Sequence, residues 1–178
     1  MKSPVPDSAS IADPCVWIER LALQPHPEGG YFRRIYTDPV VTAQGSKSRP
    51  RLSSIHYLLT AACPLGVMHR NRSTILHYLQ HGGPVEYLTL SEQGVLQRQL
   101  LGYEPDQALF LQVPGGCWKA SRLQPGVPHA LVSEVVVPGF DPEDHDFLSQ
   151  DDLRRLYPHH VEALQEFVRQ EAGSDPFA

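Results

Sequence analysis

Cysteine is scarce in this sequence of 178 residues, and the three cysteines, Cys15, Cys63 and Cys117, lie far apart along the chain. No two of them form a CxxC pair, and an odd number of cysteines cannot all pair within one chain. These features argue against a disulfide framework and are typical of reduced thiols in a cytoplasmic protein.

Long apolar runs are also missing. No stretch approaches the ~20 apolar residues that a membrane helix needs. The N-terminal stretch MKSPVPDSAS has no apolar core of the kind found in signal peptides. We therefore expect a cytoplasmic protein that has no membrane partner.

Positive charge is not in excess, because 15 Lys and Arg residues stand against 20 Asp and Glu residues, for a formal net charge of −5. Proteins that bind nucleic acids are usually basic and carry a basic patch. Basic residues do cluster at 33–34 and 47–51, and we interpret these clusters as a strand edge and a solvated loop. The charge therefore argues against a nucleic-acid partner.

What the sequence has in abundance is short strand patterns. Runs rich in Val, Ile, Leu and Tyr alternate with Gly, Pro and Asp clusters, and they predict strands near 30–37, 52–60, 66–71, 75–80, 84–91, 95–101, 109–113, 117–123 and 129–137. Many short strands with frequent turns predict a mainly β protein, either a sandwich or a barrel. We interpret the segment 38–50 as a long exposed loop.

Helical patterns flank these strands. Asp13 followed by Pro14 predicts a capped amphipathic helix over 14–22. Ser149, with Asp152 three residues later, resembles a capping box and predicts a helix over 150–156. A second C-terminal helix is predicted over 159–171. We expect a flexible N-terminus over 1–12 and a single domain over 13–178, with its barrel over about 30–148 and its helices over about 150–171.

The stretch HPEGGYFRR (26–34) crowds a proline, an acid and two glycines in front of an aromatic and basic run. Pro27 and the glycine pair predict a tight entry into a strand. Strand alternation places Tyr31 and Arg33 on one face, where a hydroxyl and a guanidinium could line a pocket rim beside Glu28. The alternative is a turn followed by an ordinary strand.

Nine histidines invite a search for a binding site. Period-two alternation puts His69 and Asn71 on one face of the strand at 66–71. On the next predicted strand, His77 shares a face with Ile75. His69, Asn71 and His77 are therefore candidate site residues.

Several blocks of sequence together resemble one protein family. The blocks are HPEGGYFRR (26–34), IHYLL (55–59), MHRN (68–71), the Leu-Gly pair at 101–102, VPGGCWKAS (113–121) and SEVVVPGFDPEDHDFL (133–148). In this order they resemble the cupin 5 family (domain of unknown function family 985) of the cupin superfamily, and most closely a fungal-type subgroup. The resemblance runs from about Leu21 to Pro158. It implies an RmlC-like double-stranded β-helix jelly roll, commonly a homodimer, with a pocket for a small molecule inside the barrel.

The same resemblance allows a search for the metal ligands of cupins. Metal-binding cupins carry His-x-His, then three or four residues followed by a glutamate, and later Pro-x-Gly-x-x-His. In this sequence the four ligand slots hold, in order, His69, Asn71, Ile75 or Leu76, and Lys119. Isoleucine and a protonated lysine offer no lone pair, so we predict no bound metal and no other cofactor. A divalent metal held by His69, His77 and another histidine is the alternative.

Lys119 is the sharpest single expectation. An ammonium group inside a barrel is costly unless it is paired, and Glu28, Glu134 or a bound anion could supply the negative charge. With Trp118 beside it, an inward Lys119 would favour a carboxylate or phosphate ligand. It would also hold the pKa of His69 below its ordinary value of ~6.5. If the strand register differs by one residue, Lys119 points outward instead.

Three functions remain open at this point. The first is a metal-independent isomerase or epimerase that acts on a sugar-like molecule, because GVMH (66–69) is similar to the Gly-Leu-His stretch of the deoxysugar-nucleotide 3,5-epimerases. That likeness implies His69 as the base, Tyr87 or another tyrosine (Tyr31 or Tyr57) as the acid and Lys119 as the group that stabilises an enolate. The second is a non-catalytic module that binds a small molecule. The third is a metal-dependent cupin with altered ligands.

Overall fold

The structure is a computed structural model that describes residues 13–44 and 47–169. Its strands are built from segments in which apolar and polar residues alternate. The strands are β1 (Gln24–Pro25), β2 (Tyr31–Thr37), β3 (Val41–Gln44), β4 (Lys47–Pro50), β5 (Ser53–Thr60), β6 (Leu65–Asn71), β7 (Thr74–Gly82), β8 (Val85–Leu90), β9 (Leu96–Leu101), β10 (Phe110–Val113), β11 (Trp118–Leu123), β12 (His129–Val137) and β13 (His145–Phe147). Each strand predicted from the sequence ends within two residues of an observed one.

Two antiparallel sheets form the body of the fold. One has six strands in the order β1-β2-β5-β12-β7-β10, and the other has five in the order β13-β6-β11-β8-β9. Their inner faces enclose a shared core to which β5, β7 and β12 contribute from the first sheet and β8 and β11 from the second. The predicted jelly-roll fold is confirmed.

The outer face of the six-stranded sheet is covered by helix α1 (Pro14–Leu21). Its N-terminus is capped as predicted, since the Asp13 carboxylate accepts a hydrogen bond of 2.9 Å from the Cys15 amide. The helix packs its apolar residues against an outer cluster made of Leu23, Leu58 and Leu131. This outer layer matters for the site because it decides which residues of β2 face away from the pocket.

The outer face of the five-stranded sheet is covered by the C-terminal segment. Helix α2 (Gln150–Leu156) is capped by Ser149, as predicted. The second predicted helix, 159–171, is shorter and less regular over its described part, which forms a 3₁₀ turn (Pro158–His160), a short helix α3 (Val161–Leu164) and another 3₁₀ turn (Gln165–Phe167). The helical geometry ends at Val168, which is extended, and the next residue, Arg169, forms a β-bridge with Ser149. Residues 170 and 171 lie outside the described residues.

The segment 38–50 was expected to be an exposed loop, and this is also wrong where the structure describes it. Strands β3 and β4 pair as an antiparallel hairpin. Arg49 is only 6% exposed, because its guanidinium forms an ion pair with Asp144 and lies 3.5 Å from Asp141. These acids belong to the turn that precedes β13, so the ion pairs hold the hairpin against the body of the protein.

Two further expectations concern disulfide bonds and membrane helices. All three cysteines are free thiols, as their number and spacing predict. Within residues 13–44 and 47–169, no helix has the length and apolar character needed to cross a membrane.

Candidate functional site

A small pocket, partly open to solvent, lies between the two sheets. Its apolar wall is formed by Phe32, Ile55, Ile75, Val136 and Phe140. Its buried end is polar and contains Glu28, His69, Asn71, Glu134 and His145. On the solvent side it is lined by the exposed residue Arg34. This combination of apolar walls and a few convergent polar groups is typical of a small-molecule site.

The turn HPEGG places Glu28 in this pocket. Gly29 and Gly30 have φ values of 101° and 70°, which favour glycine. A Cβ atom on Gly29 would lie 2.2 Å from the carbonyl oxygen of Leu65, so the turn approaches β6 too closely for a side chain. The Val67 amide donates to the Glu28 carbonyl at 2.7 Å and fixes the turn against β6. The two glycines therefore serve to present the Glu28 carboxylate beside His69.

Glu28, His69 and His145 form one buried group, which we call the Glu28 cluster. The Glu28 carboxylate accepts a hydrogen bond of 2.8 Å from His145 Nε2, and its other oxygen lies 3.2 Å from His69 Nε2. The two imidazole rings are stacked, with centroids 5.1 Å apart. Strand β13 pairs with β6, so His145 and His69 come from neighbouring strands. One ligand atom of each residue lies within 4.8 Å of the others.

Burial controls the charges of this cluster. It lowers the pKa of His69 to about 3, although the nearby Glu28 carboxylate opposes the shift and Lys119 adds to it. The expected direction for His69 is therefore observed, but burial and not Lys119 is its largest cause. Burial alone would raise the pKa of Glu28, yet the hydrogen bond donated by His145 and the positive charge of Lys119 hold that pKa well below its ordinary range. At neutral pH the cluster contains a carboxylate next to a neutral imidazole.

Lys119, Glu134 and His77 form a second buried group, the Lys119 cluster. Lys119 points inward from β11 and is 3% exposed. Its ammonium lies 3.3 Å from both oxygens of Glu134 and donates a hydrogen bond of 2.9 Å to His77 Nε2. Glu134 and His77 face each other across β12 and β7 of the opposite sheet. Of the acids proposed as its partner, the structure pairs Lys119 with Glu134, which neutralises the ammonium behind the pocket.

Two other candidates are buried close to these clusters. Asn71 lines the pocket, and its side-chain oxygen accepts a hydrogen bond of 2.9 Å from the Ser73 amide, which gives it a structural role. Tyr87 lies with its ring 5.0 Å from that of His77, and burial raises the pKa of its phenol well above the ordinary value. Its hydroxyl has no hydrogen-bond partner among the described residues. Tyr87 does not line the pocket that contains the Glu28 cluster.

Three sequence-predicted ligand residues lie on the outer faces of the sheets, which corrects the expectation for them. Tyr31 packs under α1, and Arg33 donates to the Leu21 carbonyl at 3.2 Å. Trp118 packs beneath the C-terminal helices, where its indole donates to the hydroxyl of Tyr157. The physical reason is strand alternation, because inward Phe32 and Lys119 force their neighbours outward.

The arrangement of strands and motifs matches a known family. The family model described as "Cupin superfamily (DUF985)" matches residues 16–148. The chain belongs to this family. It is similar to the uncharacterized protein YML079W of Saccharomyces cerevisiae, with 36% identity over 88% of this chain and 85% of the yeast protein.

Solved structures agree with this assignment to the cupins. A hypothetical protein from Leishmania major has a TM-score of 0.83 and 27% identity, covering 89% of this chain and 99% of that one. A cupin 2 conserved barrel domain protein from Rhodopseudomonas palustris has a TM-score of 0.53 at 13% identity, covering 83% and 86%, which supports the fold alone.

The metal-ligand slots of this cupin contain one donor histidine, His69. The structure adds two donors that lie outside both slot motifs, Glu28 and His145, and it does not bring His77 into their group. Sequence reasoning missed His145 and Arg34. The block PGFDPEDHDF contains His145 and offered a signal for it, because the block was already recognised as part of the family pattern. For Arg34 the only signal was its place next to Arg33.

Proposed function

We propose that this cupin binds a small, hydroxylated and anionic metabolite in the pocket between its sheets. The observation that supports this most directly is Arg34, a guanidinium that lines the pocket and has no ion-pair partner among the described residues. Hydroxyl and carbonyl groups of the ligand would meet the polar side chains at the buried end.

Arg34 is placed to recognise an anion. Its guanidinium lies over the ring of Phe140, with Cζ 5.5 Å from the ring centroid, which restricts its orientation. Burial lowers the pKa of Arg34. A carboxylate or phosphate on the ligand would replace the lost hydration with charge-assisted hydrogen bonds. Lys119, which was expected to fill this role, is already paired with Glu134.

Replacing Arg34 with glutamine tests this role, and Arg33 provides a matched control from the outer face of the same strand. Sugar phosphates, hydroxy acids and neutral sugars would be compared by calorimetry. We expect Arg34→Gln to weaken binding of the anionic compounds by about 1.5–3 kcal/mol, or roughly ten- to hundredfold, the scale of a charged hydrogen bond. Arg33→Gln should leave binding unchanged. Equal binding of anionic and neutral compounds by the wild type would contradict the proposal.

A metal-independent isomerase or epimerase is the second candidate function, and the state of His69 favours it. His69 Nδ1 donates its proton to the Val67 carbonyl at 2.7 Å, so Nε2 has a free lone pair. A neutral imidazole in a pocket is what removal of a proton next to a carbonyl requires. Glu28 lies 3.2 Å from this nitrogen and would stabilise the imidazolium that results.

Proton exchange separates this enzyme from a protein that only binds its ligand. Compounds that bind would be incubated with the protein in heavy water and followed by NMR. A proton acceptor at His69 predicts incorporation of deuterium next to the ligand carbonyl, lost in His69→Gln. Binding without any exchange would exclude the isomerase and leave the non-catalytic module.

A further inference from the structure

We infer that Glu28, His69 and His145 form a site for one divalent transition-metal ion. Three elements that are distant in the sequence bring one carboxylate and two imidazoles together, with ligand atoms within 4.8 Å of one another. The inference shares only the pocket with the proposed function, because it does not depend on which metabolite binds. It does exclude His69 as a free base, since its lone pair would be held by the metal.

The strongest argument is the pairing of two proton acceptors. Because His69 Nδ1–H donates to the Val67 carbonyl, the Nε2 atom that faces Glu28 carries a lone pair and no proton. This lone pair lies 3.2 Å from a carboxylate oxygen. Two acceptors at this distance repel each other unless a cation or a shared proton lies between them. A metal ion between them satisfies both groups, whereas the shared proton would put a positive charge on a deeply buried imidazole.

The surroundings of His69 also match those of a metal ligand. Histidines that bind metals almost always donate the other ring N–H to a backbone carbonyl, a carboxylate or water, which fixes the ring and its tautomer. The Val67 carbonyl does this for His69 at 2.7 Å. Both histidine side chains are almost completely buried, at 4% exposure for His69 and 2% for His145, which holds the two rings in place. A bound metal would replace the proton that His145 Nε2 donates to Glu28.

The donor set indicates which metals the site would take. Two imidazoles and one carboxylate suit Fe(II), Mn(II), Co(II), Ni(II) or Zn(II) and leave further coordination positions open. All three donor residues line the pocket, so a ligand oxygen could occupy such a position. When bound, the metal would act as a Lewis acid on that oxygen. Of the donors, only His69 stands in a slot of the family's metal motifs, and Glu28 and His145 replace the donors that Ile75 and Lys119 cannot supply.

Metal titration of the full, tag-free chain tests this inference. After treatment with a chelator and desalting, Co(II) and Zn(II) would be added, and bound metal would be measured by mass spectrometry and by the visible absorption of Co(II). We expect one ion per chain. Glu28→Gln, His69→Gln and His145→Gln should each reduce the affinity for the metal by more than about a hundredfold. That exceeds the loss usually seen when a residue that only hydrogen-bonds to a metal ligand is replaced.

His56→Gln is the control. His56 lies on β5 outside the Glu28 cluster, within 3.2 Å of the Ser133 hydroxyl, and its replacement should leave metal binding intact. If the cluster variants fail to fold, the wild-type protein can be tested with Mn(II), which broadens the NMR signals of nearby groups. The signals of His69 and His145 should broaden strongly, and those of the distant His159 should not. Less than a tenth of an ion per chain at micromolar Co(II), or binding retained in all three cluster variants, would overturn the site.

The same samples separate this inference from the proposed function. Arg34→Gln should retain the metal and lose affinity for anions. A chain that binds metal but shows no preference for anions would refute the proposed ligand class and leave the metal site standing. A chain that binds anions through Arg34 but binds no metal would refute the metal site and leave the proposed ligand class standing.

Discussion

Lys119→Met is expected to lower the free energy of unfolding by about 3–5 kcal/mol, which is the usual cost of leaving a buried charge without its partner. The Lys119 side chain is 3% exposed, and its ammonium joins β11 of one sheet to Glu134 and His77 of the other. Methionine fills most of the space of the lysine stem but leaves the Glu134 carboxylate buried without a cation. Urea unfolding at pH 7 would measure the loss.

Two further variants show whether the charge is responsible. Adding Glu134→Leu to Lys119→Met removes both charges, and it should recover most of the lost stability because an apolar pair can replace a buried ion pair at little cost. Arg155→Met breaks an exposed pair with Asp152 and should leave the unfolding free energy almost unchanged. If Lys119→Met proved no more destabilising than Arg155→Met, the Lys119 cluster would not exist as described.

Most of the fold could be predicted from the sequence, because strand alternation and capping residues act locally. The strands from β5 to β12 were placed to within two residues, and both capped helices were found. The errors arose where distant contacts overrode the local pattern. The ion pairs of Arg49 with Asp141 and Asp144 turned a polar loop into a hairpin, and the bridge between Arg169 and Ser149 ended the last helix early.

The candidate site was harder to predict, since alternation divides a strand into two faces without saying which face is inward. At 66–71 and 75–80, alternation grouped His69 with Asn71 and Ile75 with His77, and the structure buries these four side chains. On β2 both faces contain an aromatic residue followed by an arginine, so Tyr31 and Arg33 could not be told from Phe32 and Arg34. The covering helix decides, because Trp17 and Leu21 of α1 need an apolar partner on the outer face.

The Glu28 cluster illustrates a second limit of motif reasoning. Counting along the family's metal motifs led to the prediction that no metal is bound, since three of the four slots lack a usual donor. Matching residues to those four slots could not show that the turn before β2 and the short strand β13 meet beside His69. Such convergence depends on sheet order, which the sequence does not state. The prediction of a metal-free protein therefore awaits the metal titration.

Acidification to pH 5 is expected to destabilise the metal-free protein relative to pH 7.5, by about 2 kcal/mol through His69 and by a further amount through His77. Burial lowers the pKa of His69 to about 3, and burial together with Lys119 lowers the pKa of His77 well below its ordinary value. In the unfolded chain both imidazoles titrate near pH 6.5. Below that pH the unfolded state takes up protons that the folded state does not, so stability falls as the pH falls.

A histidine held neutral in the folded state contributes up to ~1.4 kcal/mol per pH unit below pH 6.5, which gives about 2 kcal/mol for His69 at pH 5. Glu28 does not interfere in this window, because its folded-state pKa is depressed and its contribution is lost only at lower pH. Urea unfolding between pH 7.5 and 5, with a chelator present, would measure the slope. His77→Gln should reduce this slope, whereas replacement of the exposed His159 should not. A free energy of unfolding that stays constant down to pH 5 would show that His69 and His77 are not held neutral in the folded protein.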